Sequence, residues 1–219
     1  MNADSNKQNF IGASEAYLKK VFVDWKPYRI HQVFNWVYHY GCRDFSEMTN
    51  LSKIMRAQLK DHFYFSSPKI KNKTHSQDGS IKYLLKLDDG ALVESVWMPS
   101  DSRNTLCLST QVGCRLNCSF CLTASLGLRR NLTAGEIIGQ CLTINEDLIQ
   151  DEAITNVVFM GMGEPLLNYD NVLKAINLML DDRAFGLSRR RITVSTSGII
   201  PGIDRLKEDN KVSLAISLH

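Results

Sequence analysis

Apolar residues in the first part of the chain recur at helical spacing. Three helices are predicted, one beginning at Ser14, one from about 27 to 41 and one from 44 to about 63. Pro27 falls at the start of the second helix, where proline costs little. The pattern contains no strand signal, and the polar residues 1–12 are expected to be disordered. We therefore predict a small helical domain over residues 1–65.

The pattern changes to strands after residue 66. Residues 80–87 alternate in part between apolar and polar, Asp88-Asp89-Gly90 is a hairpin turn, and residues 91–98 form the returning strand. Glu94 falls inside this second strand. Its carboxylate either lies on the solvent face, which is the usual case, or points into a site. Residues 66–104 are predicted as a β-hairpin linker.

From residue 105 onward, predicted strands alternate with predicted helices. The strands cover 105–111, 155–161, 191–197 and 211–219, and the helices cover about 133–148, 170–180 and a short segment after 201. Such alternation indicates parallel strands joined by right-handed crossovers. Residues 105–219 are therefore predicted to form an α/β fold, the N-terminal part of a TIM-like (β/α) barrel.

Polar motifs follow each of the four predicted strands. They are the cysteine-containing loop after 111, Gly161–Pro165, Ser195–Gly198 and Ser217–His219. In α/β barrels the chemistry collects at the carboxyl ends of the strands, so these motifs are expected to share one rim. Glu164 could accept hydrogen bonds from an ammonium group or ribose hydroxyls. A single Gly-x-Gly-Glu is weak evidence, because glycines also make turns.

Three cysteines lie within eight residues, at Cys114, Cys118 and Cys121. Thiolates are soft ligands that suit iron–sulfur clusters, zinc or copper(I). Three thiolates can hold three irons of a [4Fe-4S] cluster and leave the fourth iron open to a ligand. The alternative is a zinc site completed by a distant histidine or aspartate.

Composition is that of a globular protein, with 44% hydrophobic and 22% charged residues among 219. Half of the six cysteines are in one cluster, which indicates metal binding and not a disulfide framework. No signal-peptide or membrane-spanning pattern occurs, so a cytoplasmic location is expected. The net charge of +3 is too small to indicate nucleic-acid binding, and basic runs such as 69–73 are more often solvated surface.

The spacing Cys-x3-Cys-x-aromatic-Cys resembles that of the radical S-adenosylmethionine (radical SAM) superfamily. Further motifs narrow the resemblance to the adenine-C2 RNA methyltransferases (RlmN), which are sisters of the adenine-C8 enzymes (Cfr). The most specific stretches are 93–99, 105–107, 111–114, 161–168, 195–198 and 217–219.

The resemblance implies a radical SAM barrel with a [4Fe-4S] cluster on Cys114, Cys118 and Cys121. It also implies SAM contacts from a set of residues at the strand ends, namely Gly163, Glu164, Ser195, Ser217, Leu218 and His219.

Family members methylate a cysteine late in the chain with one SAM. A second SAM is cleaved reductively, and the resulting radical takes hydrogen from the S-methyl group, whose carbon then adds to adenine. The resemblance makes Cys107 the thiol that resolves the protein–RNA adduct by forming a disulfide, and Glu94 the base.

The implied partners are large-subunit ribosomal RNA (23S rRNA), tRNA and an electron donor, with a monomeric protein. Lys26 and Arg29 of the helical domain are candidates for phosphate contacts, although an ordinary solvated helix face explains them equally well.

The sequence departs from the family pattern in having no cysteine after Cys141. No residue here can therefore carry the methyl group. We expect a truncated member of the family that cannot complete methyl transfer alone. Residues 212–218 are expected to form an open edge of the sheet. Two alternatives stay open, a non-catalytic iron–sulfur or zinc RNA-binding fragment and an adenine-C8 enzyme. The similarity around Tyr38-His39-Tyr40 favours C2.

Overall fold

A computed structural model of the chain describes residues 7–116, 118–149, 153–209 and 212–218. Its strands, in chain order, are β1 (Gln8–Asn9), β2 (Phe63–Tyr64), β3 (Lys69–His75), β4 (Ile81–Lys86), β5 (Leu92–Ser100), β6 (Arg103–Cys107), β7 (Gln111–Gly113), β8 (Leu128–Asn131), β9 (Asn156–Phe159), β10 (Ile192–Thr196) and β11 (Ser213–Ile216). Its α-helices are α1 (Glu15–Val21), α2 (Pro27–Phe34), α3 (Lys53–His62), α4 (Ala134–Asp147), α5 (Tyr169–Leu180) and α6 (Ile200–Asp209).

A seven-stranded mixed sheet forms the centre of the molecule, in the order β11-β10-β9-β6-β5-β4-β3. Strands β6, β9, β10 and β11 are parallel and correspond to the four predicted strands. The predicted α/β fold is confirmed. The hairpin β4–β5 continues the same sheet in antiparallel fashion, with β5 paired to β6 and the unpredicted strand β3 at the edge.

The sheet has one face covered by helices and one open face. On the helix-covered face, Tyr83 and Ser95 hydrogen-bond to side chains of α4. On the same face of the following strands β6, β9 and β10, the side chains are fully buried: Leu106, Val157 and Val194. The opposite side, which we call the open face, carries the half-exposed residues Glu94, Val96, Val158 and Ser195 and the buried Cys107. Since neighbours in a strand alternate between faces, register fixes this assignment.

Three helical segments form the N-terminal region, as predicted, but two of them differ in detail. Helix α2 continues into a π-helical turn over Asn35–His39. The third segment is split into a short 3-10 turn at Phe45–Glu47 and α3, because Ser52 accepts from the Met55 amide at 3.2 Å and starts a new helix. In the described part of the chain, no helix has the length and apolar character needed to cross a bilayer.

The expectation of disorder through residue 12 is wrong for residues 7–12, while residues 1–6 lie outside the described part. Strand β1 pairs in parallel with β2, so the N-terminal region contains strands after all. Phe10 is fully buried, at 5.4–6.3 Å from four aromatic rings: Phe34, Phe45, Phe63 and Phe65. Burial of the Phe10 ring therefore holds this segment in place, although the residues around Phe10 in the sequence are mostly polar.

The N-terminal segment packs directly on helix α4 through backbone contacts. Gly12 has φ +96°, and a Cβ added at Gly135 would lie 2.2 Å from the carbonyl oxygen of Ile11. Only glycine permits so close an approach. Two ion pairs also connect the N-terminal helical region with the rest of the chain. Glu15 pairs with Arg183 after α5 at 2.5 Å, and Arg43 pairs with Glu146 of α4 at 2.6 Å. The helical region is thus docked on the sheet domain.

Candidate functional site

The cysteine-containing loop is closed at its base by the small hairpin β7–β8, which the sequence pattern did not predict. Gly113 has φ +76°, and a Cβ there would lie 1.7 Å from the Gly127 carbonyl oxygen. The Cys114 amide donates to that same oxygen at 3.1 Å. This close crossing brings the two ends of the loop together next to the carboxyl end of β6.

The three thiols of this loop are free and half-buried. The Cys121 amide donates to the Cys118 carbonyl at 3.0 Å, which folds the second half of the motif into a turn. Burial raises the pKa of Cys114, and the nearby Cys121, Glu164 and Cys118 raise it further by repulsion. The motif therefore carries three free, partly accessible thiols on one short folded loop.

The donor set fits an iron–sulfur cluster in its chemistry. Three free, accessible thiols on one short loop are the soft ligands that such clusters require. Among the described residues, no three His, Cys, Asp or Glu side chains already converge closely enough to hold a metal ion. Cluster binding therefore requires the loop to draw its thiolates together.

Glu164 is buried and supports the turn that follows β9. Its carboxylate accepts from the Leu166 amide at 3.1 Å and from the Ser197 amide and hydroxyl at 3.0 and 3.2 Å. A carboxylate offers about four acceptor positions, so about one remains for an ammonium or hydroxyl group of a ligand. The neighbouring Gly163 has φ +99°, and a Cβ there would lie 2.5 Å from that of Gln111.

The remaining predicted SAM contacts lie at the ends of β10 and β11. The Ser195 hydroxyl donates to the Phe159 carbonyl at 2.7 Å on the open face. The Ser217 amide donates to the Thr196 carbonyl at 2.9 Å, and the side chains of Ser217 and Leu218 are exposed. His219 lies outside the described residues.

Cys107 and Glu94 lie on the same open face. Cys107 faces Val96 across the β5–β6 ladder, and Glu94 is two residues further along β5, about 7 Å away along the strand. The Glu94 carboxylate is half-exposed and pairs with Lys82 at 3.1 Å. The carboxylate thus lies on a face that is open to solvent, and its role as the base stays a prediction.

Cys107 is a buried, free thiol whose pKa is raised to about 11 by burial, only partly offset by a hydrogen bond from the Met160 backbone. All six cysteines lie in the described part of the chain and are free thiols. A disulfide formed during turnover stays a prediction.

Three buried amide side chains hold the site together, and none was a predicted site residue. Gln140 accepts from the Ser95 hydroxyl at 2.7 Å and the Ser109 amide at 3.0 Å, and donates to the Ser109 carbonyl at 3.0 Å. Gln111 accepts from the Glu164 amide at 2.9 Å. Asn168 donates to two carbonyls that flank the cysteine loop. Asn168 belongs to the motif 161–168, but nothing in the sequence distinguishes Gln140 from an ordinary helix position.

The family comparisons agree with this geometry. Residues 108–219 match the radical SAM superfamily model, and residues 8–65 match the ribosomal RNA large subunit methyltransferase N-terminal domain. The chain belongs to the radical SAM superfamily. Within it, the resemblance to the RlmN family is confirmed, and that family uses a [4Fe-4S] cluster and SAM.

Two individual relatives are informative. The chain is 46% identical to a dual-specificity RNA methyltransferase RlmN of Marinobacter nauticus, over all of this chain and 61% of that protein. It superposes with a TM-score of 0.86 on the crystal structure of a radical SAM methyltransferase from Sphaerobacter thermophilus, at 37% identity, covering 97% of this chain and 64% of that one. The chain thus spans less than two thirds of the length of either relative.

Proposed function

We propose that the protein is a dual-specificity RNA methyltransferase that modifies C2 of adenine in 23S rRNA and tRNA. Two SAM molecules are used per methylation, through a methylated cysteine that the 219 residues do not include. The observation that carries the proposal is the loop with the free thiols of Cys114, Cys118 and Cys121, which the hairpin β7–β8 closes next to the carboxyl end of β6. The name of the Marinobacter nauticus relative supports the substrate class.

In this proposal the three loop thiolates hold the cluster, which when bound supplies the electron for reductive cleavage of SAM. Glu164 would accept a hydrogen bond from the amino group of SAM at its remaining acceptor position, and Gly163 would let the backbone approach the ligand. Ser195, Ser217, Leu218 and His219 would contact the carboxylate and ribose of SAM. Burial of Glu164 strengthens its attraction for an ammonium group, because water does not compete there.

Cys107 is proposed as the resolving thiol and Glu94 as the base. A thiol with a pKa of about 11 is almost entirely protonated at neutral pH, which protects it from premature oxidation. Glu94 lies on the same open face, in an ion pair with Lys82 at 3.1 Å, and is proposed as the base of the methylation reaction. The proposal also includes an external electron donor, a monomeric protein and a cytoplasmic location, where free thiols persist.

Anaerobic reconstitution with ferrous iron and sulfide tests the proposal. We expect a brown protein with the iron content and electron paramagnetic resonance of a [4Fe-4S] cluster, which binds SAM. Cys118→Ala should lose the cluster, whereas the control Cys141→Ala, which removes a buried thiol outside the loop, should retain it. Zinc bound by the loop, with no cluster formed, would contradict the proposal. Mass spectrometry of RNA modified by the complete protein distinguishes C2 from C8 methylation.

A further inference from the structure

Three lysines continue the open face of the sheet outward from Glu94. Leu84 of β4 faces Glu94 across the ladder, and Lys82 and Lys86 lie two residues to either side of Leu84. Lys69 of β3 faces Lys86. Partners directly opposite each other share a face, so all three lysines lie on the face that carries Glu94 and Cys107.

The charges on this face are not balanced. Lys82 pairs with Glu94 at 3.1 Å. Lys69 and Lys86 are exposed and directly opposite each other, and neither makes an ion pair within the residues that the structure describes. Like charges directly opposite in a sheet destabilise it. Two neighbouring cations therefore lie together with no carboxylate partner among the described residues.

Protection of a sheet edge against aggregation is the simplest alternative explanation for such lysines. It could apply to Lys69, since β3 is the edge strand. It does not apply to Lys86, because β4 is paired on both sides. In addition, Lys73 of the same edge strand points to the helix-covered face, where Asp147 neutralises it at 2.8 Å. Lys73 on the helix-covered face is therefore neutralised, whereas Lys69 on the open face of the same strand is not.

We propose that Lys69 and Lys86 bind phosphates of the RNA substrate and guide a strand towards Glu94 and the cysteine loop. This inference rests on the proposed function and specifies which surface of the chain the RNA contacts. Lys86 is about 7 Å along the strand from the position facing Glu94, so a bound strand reaches the site directly. Lysine suits this role because phosphate contacts orient nucleic acid without reading its sequence.

Salt-dependent binding of a fluorescein-labelled single-stranded RNA, followed by anisotropy, tests the inference on the full 219-residue chain. For the variant K69Q/K86Q, the slope of log Kobs against log salt should fall in magnitude by about 1.4, at about 0.7 per lost phosphate contact. K69R/K86R should keep the slope. The matched control K174Q/K207Q removes two exposed lysines of α5 and α6, and should also keep it.

The outcomes separate the inference from the proposed function. If the wild-type chain binds RNA and K69Q/K86Q shows the same slope, the lysine surface is wrong but the RNA substrate stands. A variant that aggregates while its soluble fraction keeps the slope favours edge protection and also overturns the inference. A wild-type chain that binds no RNA overturns the inference and contradicts the RNA-directed function. Circular dichroism of each variant verifies folding.

Discussion

Replacing Asn168 tests whether one buried amide holds the base of the cysteine loop. Its Nδ2 donates to the carbonyl oxygens of Thr110 and Leu132, both at 2.7 Å, on the two chain segments that flank the loop. Its Oδ1 accepts from Asn171 at 2.9 Å. Asn168 thus connects the turn after β9 with both sides of the loop.

The loss of stability in Asn168→Ala can be estimated from the hydrogen bonds that the two carbonyl oxygens lose. The Thr110 carbonyl keeps a bond from the Leu132 amide at 3.0 Å, so it loses only the net value of one hydrogen bond, about 0.5–1.5 kcal/mol. The Leu132 carbonyl belongs to a fully buried residue, and losing its bond costs about 1–3 kcal/mol. Together we expect a loss of about 1.5–4.5 kcal/mol in the free energy of unfolding, or roughly 3–18 °C in Tm.

Asn168→Asp gives a sharper test, because it keeps the shape and removes the donor. At pH 7 the introduced carboxylate faces two carbonyl oxygens in a buried place, so this variant should be less stable than Asn168→Ala. Burial and the carbonyls raise the pKa of this carboxyl above its unfolded value. The folded state therefore binds the proton more tightly, and the deficit should shrink as the pH falls.

Urea denaturation at pH 7 and pH 5 provides the assay, with iron retention against a chelator as the functional readout. The control Asn171→Ala removes only the bond to Oδ1 and should cost no more than about 1.5 kcal/mol. An Asn168→Asp protein as stable as wild type, or a control as costly as Asn168→Ala, would refute the reasoning.

Three further predictions concern stability and thiol reactivity. Phe10→Ala should lower the free energy of unfolding by about 3–5 kcal/mol in urea, because Phe10 is fully buried among four rings. Burial raises the pKa of Glu15, but hydrogen bonds from Lys19, Arg183 and His31 outweigh it and lower the pKa to about 2. Wild type should therefore lose stability as the pH falls from about 4.5 to 2, and Glu15→Gln should lose less in the same thermal melts. Cys107, being buried, should react with iodoacetamide more slowly than Cys118, as peptide mapping by mass spectrometry can measure.

The parallel strands could be predicted from sequence because each is a short apolar run bounded by turn residues. Strand β3 could not, since its sequence Lys69–His75 is mostly polar and exposed, and it forms by pairing with β4. The hairpin β7–β8 is equally hidden, because the contact between Gly113 and Gly127 holds it together and not a hydrophobic pattern. Tertiary contacts decide such elements.

The residues of the candidate site also fall into two groups, those that could be identified from the sequence and those that could be identified only from the fold. The loop thiols could be identified from the sequence because three cysteines at close spacing indicate a metal site by residue type. Cys107 and Glu94 could be singled out only through the family resemblance. Amide side chains such as Gln140 look ordinary in a sequence. In the structure, Gln140 satisfies a hydroxyl, an amide and a carbonyl in a fully buried place. An unpaired polar group there would cost about 1–3 kcal/mol, so replacing it disturbs the strand ends that carry the site. Residues that support a site are therefore found by accounting for buried hydrogen bonds, which requires the fold.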